Sequence, residues 1–221
     1  MDMSCFYESA AVEIRMIRNS PFVRQLAEGS LPLKCFTHYL SCDAVYLRYY
    51  AEALSLSARF LDSAGCISDA RLLRSFASDG LDAELQMQDE FLSCGGIGSG
   101  AGDGRHCGRS SAFVRYGEHL LSAAEHSLEA GLAAVLPCFT VYRDTGLFIA
   151  SRATADNPYR SWISTYESRD FSLQAEKMEA LCGRYIGGCG RNRIAGLAGL
   201  FRRSCELELR CFEEAAACSG D

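Results

Sequence analysis

The stretch Pro32-Leu-Lys-Cys-Phe-Thr-His-Tyr-Leu-Ser-Cys-Asp-Ala-Val-Tyr-Leu-Arg-Tyr-Tyr-Ala-Glu-Ala-Leu54 decides the fold. Within it Phe36, Tyr39, Leu40, Asp43, Tyr46, Leu47, Tyr50 and Leu54 recur at steps of three and four, which traces one face of an α-helix. Pro32 stands where a helix begins, since its missing N–H would be unpaired there in any case. Working outward, the same spacing predicts helices at about 4–19, 32–61, 67–93, 109–125, 127–152, 157–168, 171–186 and 191–217. Asn19-Ser20-Pro21 and Asp156-Asn157-Pro158 read as turns. Composition agrees: 28 Ala and 25 Leu stand against 6 Val, 8 Ile and 5 Thr. β-branched side chains are stiff and favour strands, so their scarcity favours helix. The expected class is all-α, a single domain over 1–221.

The chain has 221 residues, 48% of them hydrophobic and 23% charged, with a net charge of −6. That is an ordinary globular composition with no general pull towards nucleic acid or an anionic membrane. No apolar run approaches the roughly 18 residues of a membrane span. The start, Met1-Asp-Met-Ser-Cys-Phe-Tyr-Glu8, lacks the basic and apolar segments of a secretory leader. The twelve cysteines are scattered and include no Cys-x-x-Cys, so they read as free thiols in a reducing, cytoplasmic setting. The segment Cys94-Gly-Gly-Ile-Gly-Ser-Gly-Ala-Gly-Asp-Gly-Arg-His-Cys-Gly108 is expected to be a surface loop between two helices. No strand precedes it, as a phosphate-binding glycine loop requires. Cys94, His106 and Cys107 within it lack the fourth partner and the spacing of a zinc site.

Three polar groups fall on apolar helix faces. Asp43 lies among Tyr39, Leu40, Tyr46 and Leu47; Glu208 continues the series Leu197, Leu200, Phe201, Ser204 and precedes Phe212. A carboxylate forced inward raises its pKa or recruits partners, which makes both candidates for acid–base work. Cys138 follows Pro137 inside a helical run, where proline frees the Ala133 carbonyl and opens room beside the thiol. Tyr142, one turn on, shares its face. The histidines (38, 106, 119 and 126) form neither His-x-x-x-His nor Glu-x-x-His, which disfavours a di-iron bundle.

With these residues marked, the chain resembles the thiaminase II (TenA) family of aminopyrimidine aminohydrolases. The resemblance runs through Ser20-Pro-Phe-Val-Arg-Gln-Leu-Ala-Glu-Gly-Ser-Leu-Pro32, Phe36-Thr-His-Tyr-Leu-Ser-Cys-Asp-Ala-Val-Tyr-Leu47, Leu136-Pro-Cys-Phe-Thr-Val-Tyr142, Tyr159-Arg-Ser-Trp-Ile-Ser-Thr-Tyr166 and Glu208-Leu-Arg-Cys-Phe212. It implies a haem-oxygenase-like helical bundle. It further implies that Cys138 is the nucleophile, Glu208 the general acid/base, and Asp43 the acid that binds the pyrimidine's polar edge. Tyr46, Tyr116, Tyr142 and Tyr166 are then the aromatic pocket. The implied partner is a small pyrimidine, with no metal or organic cofactor, no nucleic acid and no membrane, in a homo-oligomer of two or four chains.

The chain departs from the family pattern at Cys42, usually glutamine, at Gln88, at Phe139-Thr140 and at Cys211-Phe212. These affect pocket width more than the chemistry. Two rival readings make other predictions. A non-catalytic pyrimidine-binding or regulatory protein of the same fold would bind without turnover. A haem-oxygenase-like oxidoreductase, with His38 as a conceivable haem ligand, would be coloured and iron-dependent.

Overall fold

In the computed structural model, which describes residues 3–93, 107, 108 and 110–218, the chain is helical and the described residues contain no strand. The helices are α1 (Ser4–Ser9), α2 (Ala11–Asn19), α3 (Pro21–Glu28), α4 (Leu33–Ser63), α5 (Ile67–Ser93), α6 (Ala112–His126), α7 (Leu128–Ala150), α8 (Arg160–Glu167), α9 (Arg169–Ile186) and α10 (Arg191–Ala217). The expectations for the glycine-rich stretch over 94–106, and for the side chain of Gln88, fall outside the described residues.

Two local expectations are corrected. The helix expected over 4–19 breaks at Ala10 into α1 and α2. The turn expected at Asn19-Ser20-Pro21 opens a further helix, α3. Its signals are local: the Ser20 hydroxyl accepts from the Val23 N–H at 3.3 Å, Pro21 takes the first helical position, and Gly29 closes the helix at φ 72°. Asn157 fixes the approach to α8 from far away in sequence. Its side-chain amide donates to the carbonyls of Leu26 and Ala27, at the end of α3, while its Oδ1 accepts from the Tyr159 N–H.

The bundle is organised around α7, which packs against α4, α6, α9 and α10. By length and composition α7 is apolar enough to cross a membrane, contrary to the reading of the bare sequence, but 67% of that window is buried inside the protein. Its apolarity is that of a core helix surrounded on several sides. Pro137 sits inside it without ending it. Serines start three of the long helices, with Ser111, Ser127 and Ser168 accepting from backbone N–H groups of the first turns of α6, α7 and α9. α4 and α6 approach closely at Gly117, where an added Cβ would lie 2.4 Å from the Tyr49 ring. The predicted face of α4 is the buried one, with Phe36, Tyr39 and Leu54 fully enclosed. Beneath the site Phe22 stacks on Phe212 with ring centroids 5.1 Å apart and tilts against Tyr39 at 4.9 Å. Such aromatic layers contribute area burial and ring–ring contacts together.

Candidate active site

A cavity of about 230 Å³ opens between α4, α5, α7, α8 and α9. Asp43 and Tyr46 reach it from α4, Cys138 and Tyr142 from α7, and Tyr166 from α8. Five of the seven residues singled out in the sequence therefore line one cavity. The other two, Tyr116 and Glu208, stand behind it. Tyr116 is bonded to Cys138, and Glu208 to Tyr142.

Cys138 is half-buried because its sulfur faces the cavity. The phenol oxygens of Tyr46 and Tyr116 lie 2.9 and 3.4 Å from that sulfur, and their rings tilt together at 4.8 Å. Burial pushes the thiol up to about 12, against the pull of the two phenols, with Glu208 adding to the rise. In the protein at rest the group is a thiol, and the phenols are placed to donate to the thiolate when it forms.

Glu208 is 5% exposed and Asp43 7% exposed. Burial raises the Glu208 carboxyl from the ordinary range to about 8, and repulsion from Asp43 adds to it, while a hydrogen bond from Tyr142 opposes. Near neutral pH this acid is therefore divided between protonated and ionised forms, the condition for giving and taking a proton. Tyr142 is the hub here: its phenol oxygen makes a short hydrogen bond with that of Tyr39 and also reaches Glu208. Burial first, then the neighbouring acids, holds the Tyr39, Tyr142 and Tyr166 phenols well above their ordinary value.

The face shared by Cys138 and Tyr142 is thus real, but the two groups serve different partners. Tyr142 belongs to the carboxylate side, and the thiol's phenols come from α4 and α6.

The sequence reading missed the outer walls. Phe76, Asp79 and Gly80 of α5, and Phe171 and Gln174 of α9, complete the cavity. Gln174 donates to Asp79 at 3.0 Å across its mouth. Polar residues on a half-solvated face carry no sign of this in the sequence. Tyr39 was read only as part of a helix face, although its oxygen closes the Tyr142 network. One glycine matters to this geometry: a Cβ on Gly146 would fall 2.6 Å from that of Tyr166. Only glycine lets α7 and α8 come this close and hold Tyr166 over the cavity.

The model of the TENA/THI-4/PQQC family matches residues 13–217. The chain belongs to this family. It is 27% identical over 158 residues to the aminopyrimidine aminohydrolase of Bacillus subtilis strain 168, covering 71% of this chain and 65% of the relative. It is 28% identical over 212 residues to the thiamine biosynthesis multifunctional protein ThiED of Corynebacterium efficiens, covering 95% of this chain. The chain spans only about a quarter of the length of such Corynebacterium relatives, 27% in that case. Among solved structures, a TenA homologue from P. horikoshii OT3 superposes with a TM-score of 0.83 at 22% identity, covering 96% of this chain and 97% of the other. The fold is the helical, haem-oxygenase-like one of TenA homologues.

Proposed function

We propose that the chain is an aminopyrimidine aminohydrolase of thiamin salvage. Its substrate is 4-amino-5-aminomethyl-2-methylpyrimidine and its products are the 5-hydroxymethyl pyrimidine and ammonia. The observation that carries this reading is a cavity-facing thiol held between two phenols, beside two buried carboxylates, in a chain of this family. The relative from Bacillus subtilis supports the choice of reaction by its name.

In this reading Asp43 takes the polar edge of the pyrimidine. The Cys138 sulfur adds to the ring and breaks its aromaticity as the thiol proton passes to a carboxylate. With a thiol near 12 almost no thiolate stands free at neutral pH, so this proton transfer is tied to substrate binding and attack. Tyr46 and Tyr116 donate to the sulfur as its charge develops. Glu208, near 8, protonates the amine on the 5-methylene, which leaves as ammonia. Water then adds to that carbon and gives its proton to the Glu208 carboxylate. Expulsion of the Cys138 thiolate restores the ring, and the sulfur takes its proton back from the carboxylate that first received it. The sum is substrate plus water to alcohol plus ammonia.

The cavity, about 230 Å³, is smaller than the roughly 300–1,000 Å³ of sites for drug-sized ligands. That favours a single ring, and makes cleavage of two-ring thiamin the secondary activity. All eleven cysteines among the described residues are free, which supports the cytoplasmic setting we propose; the homo-oligomer is proposed from the family resemblance alone.

The test is release of ammonia and hydroxymethylpyrimidine by wild type, Cys138→Ser and Glu208→Gln. Turnover by wild type that both substitutions abolish is the expected result. A wild type that binds the aminomethyl pyrimidine without converting it would overturn the enzyme reading in favour of a binding protein.

A further inference from the structure

One residue round α4 from Tyr39 and Asp43, a second group of side chains converges. His38 and Cys42 stand one turn apart on α4, so both point the same way. Their Nε2 and Sγ atoms are 3.8 Å apart. Glu214 arrives from α10 with its Oε1 3.9 Å from the same Nε2, and one donor atom from each of the three residues lies within 4.8 Å of the others. Cys107, just ahead of α6, is hydrogen-bonded to the Cys42 thiol.

We infer that His38, Cys42, Cys107 and Glu214 form a zinc site that ties α4, the start of α6 and α10 together. Two thiols, an imidazole and a carboxylate are a donor set suited to zinc, with one turn of a helix presenting two of them. Zinc–ligand bonds of about 2.0–2.3 Å in a tetrahedron put neighbouring donors about 3.3–3.8 Å apart. The two separations from His38, 3.8 and 3.9 Å, stand at the upper limit of that range and just beyond it. The carboxylate is also oriented from behind. Ser111 donates to Glu214 Oε1 at 2.6 Å, and the Ala112 N–H to Oε2 at 2.7 Å. Outer hydrogen bonds of this kind fix a ligand's direction. Capping α6 accounts for Glu214 alone; it does not account for a histidine and two thiols meeting it. With four protein donors the site is closed and structural, separate from the chemistry at Cys138. Asp43, the next residue after Cys42, lines the cavity, so the metal holds in place the helix that presents it.

The full chain, stripped with a chelator and dialysed, is titrated with zinc against a chromophoric competitor, and in parallel with cobalt(II). The expected result is one zinc per chain and the thiolate-to-cobalt charge-transfer absorption of a tetrahedral site. Cys42→Ser and His38→Gln each weaken binding by more than about 100-fold, and Ser111→Ala by about 10–100-fold. Cys107→Ser weakens zinc binding and reduces the charge-transfer band, while Cys138→Ser leaves zinc affinity unchanged. Circular dichroism of each stripped variant confirms that it is folded, and zinc raises the melting temperature of wild type but not of Cys42→Ser. Absence of uptake, or equal affinity in wild type, Cys42→Ser and His38→Gln, overturns the site. A Cys42–Cys107 disulfide in freshly purified protein, with no zinc bound, also overturns it and makes the pair a redox couple. Unchanged affinity and charge-transfer absorption in Cys107→Ser remove Cys107 as the fourth ligand and overturn the four-residue site.

Discussion

The cavity has two unlike ends. Its inner end is built by Asp43, Tyr46, Cys138 and Tyr142 from the two most deeply packed helices, α4 and α7, backed by Glu208 and Tyr116. Here burial is the largest influence on the thiol, the carboxyl of Glu208 and the phenols alike. Its outer end is built by Asp79, Asp170 and Gln174 of α5 and α9, in contact with solvent, with Gln174 donating to Asp79 across the opening. The same residue types thus carry different weight. Removed from water, an acid or thiol becomes a proton carrier tuned by its neighbours; at the rim it is a surface group that shapes access.

The sharpest way to break this comparison is to remove the thiol. Cys138→Ala is expected to lower turnover by at least about 10³-fold, because a covalent route loses its nucleophile. The measurement is steady-state ammonia release. A loss of less than tenfold would mean that the inner end does not work through sulfur.

Glu208→Gln comes next, with an expected loss of about 10²–10⁴-fold in kcat. It also carries a stability signature whose sign follows from the raised pKa of about 8. A carboxyl raised on folding stays protonated in the native state while the unfolded chain ionises at its ordinary value. Its stabilising contribution is therefore full below the ordinary carboxylate range and is lost as pH rises towards about 8. The glutamine variant lacks that loss. Its stability relative to wild type should increase across this window with a slope approaching about 1.4 kcal/mol per pH unit. Denaturant unfolding at several pH values checks it, and parallel curves for the two proteins would refute the buried-acid assignment.

The success of the sequence reading follows the same division. Asp43 and Glu208 stood out because an acid on an apolar face conflicts with the helical pattern, and such a conflict marks the inner end. Cys138 was marked by the proline before it. The helices with long apolar faces were likewise legible, since period and burial agree. α3 carried its own cap, proline and glycine, but with so few residues between two turn signals it read as a link. The break at Ala10 has no local cause in the sequence. Asp79 and Gln174 were silent for a different reason: a polar residue on a half-exposed face obeys the pattern whether or not a ligand passes it. The one-turn spacing of His38 and Cys42 carried no signal by itself, and Glu214 lies more than 170 residues further along the chain, so that only the fold brings it to them.

The two phenols at the sulfur sharpen the comparison within the inner end. Tyr46, at 2.9 Å from Cys138, should matter more than Tyr116, at 3.4 Å, because hydrogen bonds to a developing charge weaken steeply with distance and are worth about 1.5–3 kcal/mol when well made. Tyr46→Phe is expected to cost about 10–100-fold in kcat, and Tyr116→Phe less. Each should raise the pH at which the thiolate forms, read by its ultraviolet absorbance, since each phenol lowers the thiol pKa. Each should leave in place the alkaline limb of the kcat–pH profile, which Glu208 sets. Equal losses with the thiolate titration unmoved would point to packing alone.

The smallest effect belongs to the rim. Gln174→Ala removes the bridge to Asp79 at the mouth, a partly exposed hydrogen bond worth about 0.5–1.5 kcal/mol. Because it touches neither the thiol nor Glu208, its loss should act on substrate and transition state alike. The expected outcome is a few-fold rise in KM with kcat unchanged, which is the signature of uniform binding. Measured beside Tyr46→Phe, the pair tests the division directly: one substitution lowers kcat from the buried end, the other shifts KM from the open one. A fall in kcat for Gln174→Ala would mean that the mouth takes part in the chemical step, for example by excluding water when substrate is bound, and the boundary between the two ends would have to move outward.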